Sequence, residues 1–228
     1  MKQAMPAKRA GKKWEKAFSG GTGTATDKAR GQKLNSPVFF KNYAGGFRLS
    51  RVEDPDDFAQ MSFVLKARAK SGGRSFRTVL HVERTRNGSR LVATDGQRLH
   101  VAEITKRIAG GDYMATVSRD FIALGEPLDG IGFPEWEKAV PRNAAKSGEI
   151  DLGKTSTGNS AKKAAEMSIA VNALNAATGF VVNMRHVAEL PKTSWTVYRE
   201  PGFGKVLVRQ RGREDRAFAV FAPVGKAA

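Results

Sequence analysis

From Gly46 onward, hydrophobic and polar positions fall into a regular pattern. Phe47, Leu49 and Val52 are spaced as in a short strand. Asp54 then supplies a helix cap, Pro55 suits the first helical position, and Asp56 and Asp57 suit an acidic first turn. Phe58, Met61, Val64 and Leu65 share one helical stripe. Lys66, Arg68 and Lys70 are expected in its last turns, with Gly72-Gly73 ending it. Three strands follow, over 76–84, 90–94 and 98–104. Asn87-Gly88 and Asp95-Gly96 lie between them as hairpin turns. The unit is strand, helix, then a three-strand antiparallel meander.

The pattern restarts twice. A strand over 113–117 and a short helix over 119–124 begin an abbreviated second unit. No meander follows; the polar stretch 142–164 reads as a linker, and 167–171 as an isolated strand. The last unit has a strand at 180–182, a helix over 183–190 stopped by Pro191, and strands over 195–199, 206–210 and 217–221. This is a weak internal repeat, visible in pattern rather than identity. It divides the chain into a tail (1–36), a first unit with its abbreviated successor (37–141), a linker (142–164) and a C-terminal unit (165–228).

Charge changes the picture. The 228 residues carry 39 Lys+Arg against 22 Asp+Glu, a net charge of +17, which points to a polyanionic partner such as nucleic acid. Residues 1–35 alone hold Lys2, Lys8, Arg9, Lys12, Lys13, Lys16, Lys28, Arg30 and Lys33 against Glu15 and Asp27. That segment is rich in Gly, Ala and Thr and is expected to be a disordered basic arm. There is no cysteine, so disulfides, thiolate chemistry and Cys-based zinc sites are excluded. No apolar run is long enough to cross a membrane and no signal peptide is visible, so a cytoplasmic setting is expected.

Candidate chemistry is sparse. GEIDLGKT at 148–155 has the spacing of a phosphate-binding loop, but Glu149 and Asp151 lie inside it and a polar stretch precedes it, so it reads as a chance match. His81, His100 and His186 have no carboxylates at metal-ligand spacing. Ser118, Arg119 and Asp120 form no nucleophile–base pair. No enzyme activity, cofactor or metal is expected.

The most specific string is VATDGQRL, 92–99. It resembles the VATDGHRL segment of bacterial DNA polymerase III β subunits, the sliding clamps. Three further stretches resemble that family in chain order: RSFRTVLHVE from Arg74; GFPEWEKAVP at 132–141, similar to an FPDY…VLP interdomain segment; and GFVVNMRHVAEL from Gly179 with AVFAPV at 219–224, similar to the last half-domain and its terminal strand. The resemblance covers well over half of the chain.

It implies an α+β, DNA clamp-like fold: repeated β-α-β-β-β units with antiparallel sheets and helices on one face. A bacterial clamp chain has three domains of two units each; this chain resembles the first half of the middle domain and the last half of the final one. In the family these halves form a hydrophobic pocket for short linear motifs of polymerases and other replication and repair proteins. Carried over by match, the pocket positions are Thr94, Gly96, Gln97, Arg98, Leu99, Pro141, Val220 and Ala222. Gln97 replaces a histidine, Ala222 a methionine, and Arg77 stands where an apolar wall residue is usual.

Clamps contact DNA through Lys and Arg on the helices lining a ring; the candidates here are Lys66, Arg68, Lys70, Arg74, Arg185 and Lys192, with His186 beside them. The resemblance thus implies a non-enzymatic, DNA-associated processivity or recruitment factor in DNA replication. Its partners would be double-stranded DNA and a DNA polymerase or another protein with a clamp-binding motif, with a homo-oligomer left open. The rival expectation is a clamp-like interaction or decoy protein, of a mobile element or phage, that does not encircle DNA.

Overall fold

The computed structural model describes residues 46–71, 75–153 and 160–226; the basic arm expected at 1–36, Gly72-Gly73 and Arg74 lie outside them. Ten strands form one antiparallel sheet: β1 (Arg48–Ser50), β2 (Leu80–Thr85), β3 (Gly88–Thr94), β4 (Arg98–Ile104), β5 (Gly111–Val117), β6 (Phe121–Leu128), β7 (Ala145–Asp151), β9 (Ser194–Arg199), β10 (Val206–Gln210) and β11 (Ala217–Phe221). Their spatial order is β1-β6-β5-β2-β3-β4-β11-β10-β9-β7. A separate pair joins β8 (Phe180–Val181) to β12 (Gly225–Lys226). The helices are α1 (Pro55–Leu65), α2 (Ser160–Thr178) and α3 (Met184–Ala188), with a short 3₁₀ turn at Trp136–Ala139.

The central fact of this topology is the seam between β4 and β11, which makes one sheet of the first and last units. Leu99 faces Val220 and His100 faces Ala219 across it. Side chains alternate along each strand, so the seam has two apolar faces. Ala93, Ala102, Ala219 and Phe221 point into the main core with Phe63 and Val64 of α1, Leu174 of α2 and Val187 of α3. Val92, Leu99, Val101, Leu207, Phe218 and Val220 point the other way, onto Trp136. The helices therefore cover one face, and the 132–141 segment covers the middle of the other. Burying a strand on both faces requires a nearly continuous apolar run, which AFAVF of β11 supplies.

Several local expectations are corrected. The 119–124 segment is not a helix: Ser118 Oγ bonds the Phe121 backbone, Val117 faces Ile122, and the chain turns into β6. The 167–171 segment is not a strand but part of α2, whose Met167, Ala170, Val171 and Leu174 form the buried stripe. The stretch read as a linker, 142–164, contains β7 and the first turn of α2. Helix α1 stops at Leu65, so Arg68 and Lys70 lie beyond it. Its cap residue Asp54 makes no side-chain cap bond and instead pairs with Lys106 at 2.8 Å.

The two hairpin dipeptides also differ. Gly96, with φ +93°, adopts the left-handed conformation a tight turn requires. Gly88 does not; it lies within β3 opposite Thr85, where a Cβ would strike the Ile104 carbonyl.

Candidate docking edge and cationic helical face

The β3–β4 turn is closed by its own side chains. Thr94 Oγ1 donates to the Arg98 carbonyl at 2.6 Å and accepts from the Gly96 amide at 3.0 Å. Asp95 Oδ1 accepts from the amides of Gln97 and Arg98, at 2.9 and 3.0 Å. These bonds fix the turn beside the end of β11, where the Ala222 amide donates to the Gln97 carbonyl at 2.8 Å. Sequence positions 94–99 and 220–222 thus share one edge, at the point where Arg98 faces Phe221.

Arg98 acts as a strut beneath this edge. Its guanidinium pairs with Asp95 at 3.1 Å and with Glu189 at the end of α3, and donates to the Lys66 carbonyl at 2.8 Å. Only 9% of it is exposed, so it serves the fold more than a partner. Burial pushes the Glu189 carboxyl up against the opposing pull of Arg98, Lys66 and Lys70. Behind the strut, His100 stacks on Phe63 with ring centroids 4.5 Å apart, and its Nδ1 lies 2.9 Å from the Phe63 carbonyl. Complete burial lowers the His100 pKa to about 3. His186, stacked on Phe221, is also held below its ordinary value by burial.

The eight matched positions divide sharply by accessibility. Leu99, Val220 and Pro141 are buried, as are Thr94 and Arg98; Gly96 and Gln97 are exposed and Ala222 is half-buried. The apolar floor at Leu99 and Val220 is closed from outside by the 132–141 segment. Trp136 reaches Phe218, with centroids 6.2 Å apart, and its Nε1 donates to Glu83 at 2.7 Å. Arg90 lies over its ring at 5.8 Å. Phe133 stacks on His81 at 4.5 Å. Sequence reasoning placed 132–141 as a connector and missed Trp136 as a cover. Its aromatic density, FPEW, was the available signal.

The cations expected to meet DNA fare unevenly. Arg185 and Lys192 are exposed at and just beyond α3, and Lys70 is exposed after α1. Lys66 is exposed but donates from Nζ to the Glu189 carbonyl at 3.0 Å, and burial of its head lowers its pKa. Arg68 does not belong with them. Its Nη1 donates to the Thr78 and Ala115 carbonyls, and burial lowers its pKa to about 10. His186 is likewise buried and turned into the core. Arg74 lies outside the described residues. Lys162 and Lys163, exposed on α2, add to the helical face. They were missed because this stretch read as a linker.

Residues 148–151 of the apparent phosphate-loop match are a β7 ladder paired with β9, not a loop. His81 and His100 are separated by β3 and point to opposite faces. Among the described residues no group of His, Asp and Glu could hold a metal ion. None of the described helices is long and apolar enough to cross a membrane.

No protein-family model matches the sequence, and no curated protein does. The fold, however, matches solved structures. The DNA polymerase sliding clamp of Pseudomonas aeruginosa superposes with a TM-score of 0.52 at 13% identity, covering 78% of this chain and 66% of that one. The DNA polymerase III β subunit of Borrelia burgdorferi gives 0.54 at 6% identity, covering 80% and 65%. That of Thermotoga maritima gives 0.51 at 12%, covering 80% and 66%. The fold is that of the bacterial sliding clamps. The chain spans just under two thirds of the length of the clamps it matches, and at these identities the likeness is one of architecture.

Proposed function

We propose that this protein is a clamp-like, DNA-associated accessory factor that recruits replication or repair proteins by docking their short linear motifs, and that its work is binding rather than catalysis. The observation that carries this reading is the β4–β11 seam. It brings the family-like 94–99 turn against 220–222 in a protein with a sliding-clamp fold and a net charge of +17. A peptide with an apolar anchor would bind beside Gly96, Gln97 and Ala222, and deeper access to Leu99 and Val220 would require the 132–141 segment to yield. Duplex DNA would lie along the helical face, held through phosphates by Lys66, Lys70, Arg185 and Lys192, with Lys162 and Lys163 of α2.

The inward turn of Arg68 favours a second reading, an interaction or decoy protein that docks such motifs without encircling DNA. Retention on nicked circular DNA separates the two. Encirclement predicts retention at high salt that is lost on linearisation; simple phosphate contact predicts equal loss from both forms. Docking is tested by fluorescence anisotropy with a labelled peptide carrying two adjacent large apolar residues. Ala222→Glu is expected to weaken binding at least tenfold while the circular dichroism spectrum stays unchanged. Wild-type protein that ignores such a peptide at high micromolar concentration would refute docking.

A further inference from the structure

Arg77 is the departure from the family pattern that the structure makes interpretable. Its side chain lies across Gly96, where a Cβ added to the glycine would sit 3.6 Å from Nε and 3.7 Å from Cζ and Nη2. The guanidinium is seated on an aromatic platform. Cζ lies 5.5 Å from the Phe76 ring centroid, Phe76 meets Phe133 edge-on at 6.4 Å, and Phe133 stacks on His81. The backbone is fixed as well, since the Arg77 carbonyl accepts from the Ala69 amide at 2.7 Å.

The cation is exposed, and no carboxylate pairs with it among the described residues. The nearest acidic residue in the turn, Asp95, is already engaged by Arg98 and two backbone amides. A planar fork held in place beside the proposed docking edge, with its charge unspent, is suited to bidentate capture of a carboxylate.

We infer that Arg77 makes this docking edge select acidic peptides, those carrying Asp or Glu next to the apolar anchor. The inference rests on the docking reading above and names the partner class that reading leaves open. A DNA phosphate is the competing ligand chemistry. Phe133, which supports Arg77 through Phe76, packs on the Trp136 side of the sheet, whereas the exposed lysines of the helical face lie on the other. The position therefore favours a peptide.

The test uses the full chain and two peptides alike in their apolar pair, one with flanking Asp and one with Asn, read by anisotropy. Wild type is expected to prefer the Asp peptide about tenfold, with the preference shrinking as salt rises. Arg77→Gln should erase that preference and leave affinity for the Asn peptide within about twofold; Arg77→Lys should retain part of it. An unchanged thermal melt is expected for both variants, because the side chain is exposed. Equal binding of both peptides by wild type, unmoved by Arg77→Gln, would overturn the inference and leave docking intact. Binding of neither would remove docking and the inference together. A loss of duplex DNA affinity in Arg77→Gln without a change in peptide preference would assign the residue to phosphate instead.

Discussion

The two ends of the β4–β11 seam are built from the same pair of strands and carry opposite chemistry. At the end where Arg98 faces Phe221, the carboxylates of Asp95 and Glu189 are tied down by one buried guanidinium, and the outward cation is Arg77. At the other end, Ile104 and Arg216 border an open cleft of about 720 Å³ lined by Glu53, Asp54, Asp56, Asp57, Glu103, Glu214 and Asp215, with Arg213 and Arg216 among them. Here no single cation gathers the carboxylates: Asp54 pairs with Lys106 at 2.8 Å, Glu103 with Arg90 at 2.9 Å, and Asp215 meets Arg209 at 3.6 Å. Asp57 accepts from the Thr105 amide and hydroxyl and the Lys106 amide, and Asp56 meets Arg213 only at 3.6 Å. Charge in this protein is thus sorted by position. A net charge of +17 coexists with a cleft whose lining is predominantly acidic.

The contrast between a braced end and a loose end can be broken by mutation. Arg98→Ala should have the largest effect, a loss of about 3 kcal/mol in urea denaturation, because it strands Glu189 and Asp95 without their partner. A loss below about 1 kcal/mol would show that the strut is not structural. Next in size is acid sensitivity. His100 has its folded pKa lowered to about 3 from 6.5, so the unfolded chain binds the proton more readily between those values. The contribution of His100 is fully present well above pH 6.5 and is lost as pH drops, by about 2 kcal/mol at pH 5. A denaturation series from pH 7.5 to 5 measures the slope, and His100→Phe should flatten it. The smallest effect belongs to the cleft end. Arg213→Ala breaks only a well-exposed contact and should change stability by less than about 0.5 kcal/mol.

Much of the sheet was legible in the residues, and the reason differs by strand. β4, β10 and β11 match their expected bounds because their apolar character is dense and their turns carry strong signals. β7 was invisible because it is an edge strand with only Ile150 buried, so AKSGEID shows no alternation. The stripe of α2 was present at the right spacing, but MSIAV within it also reads as a strand core, a known ambiguity of short apolar runs. The candidate site was legible as a string and not as a surface. Spacing cannot reveal that Arg68 is bonded to carbonyls on two other segments, or that Trp136 lies across the face where Leu99 and Val220 emerge.

The seam also imposes an order of events on biosynthesis. The strand that completes the middle of the sheet, β11, leaves the ribosome long after β4. Until then the growing chain holds β4 as an unpaired, apolar edge, the kind of surface that invites wrong pairing. Nascent protein is therefore expected to need sheltering, and translation halted shortly before residue 217 should yield chains that associate with one another.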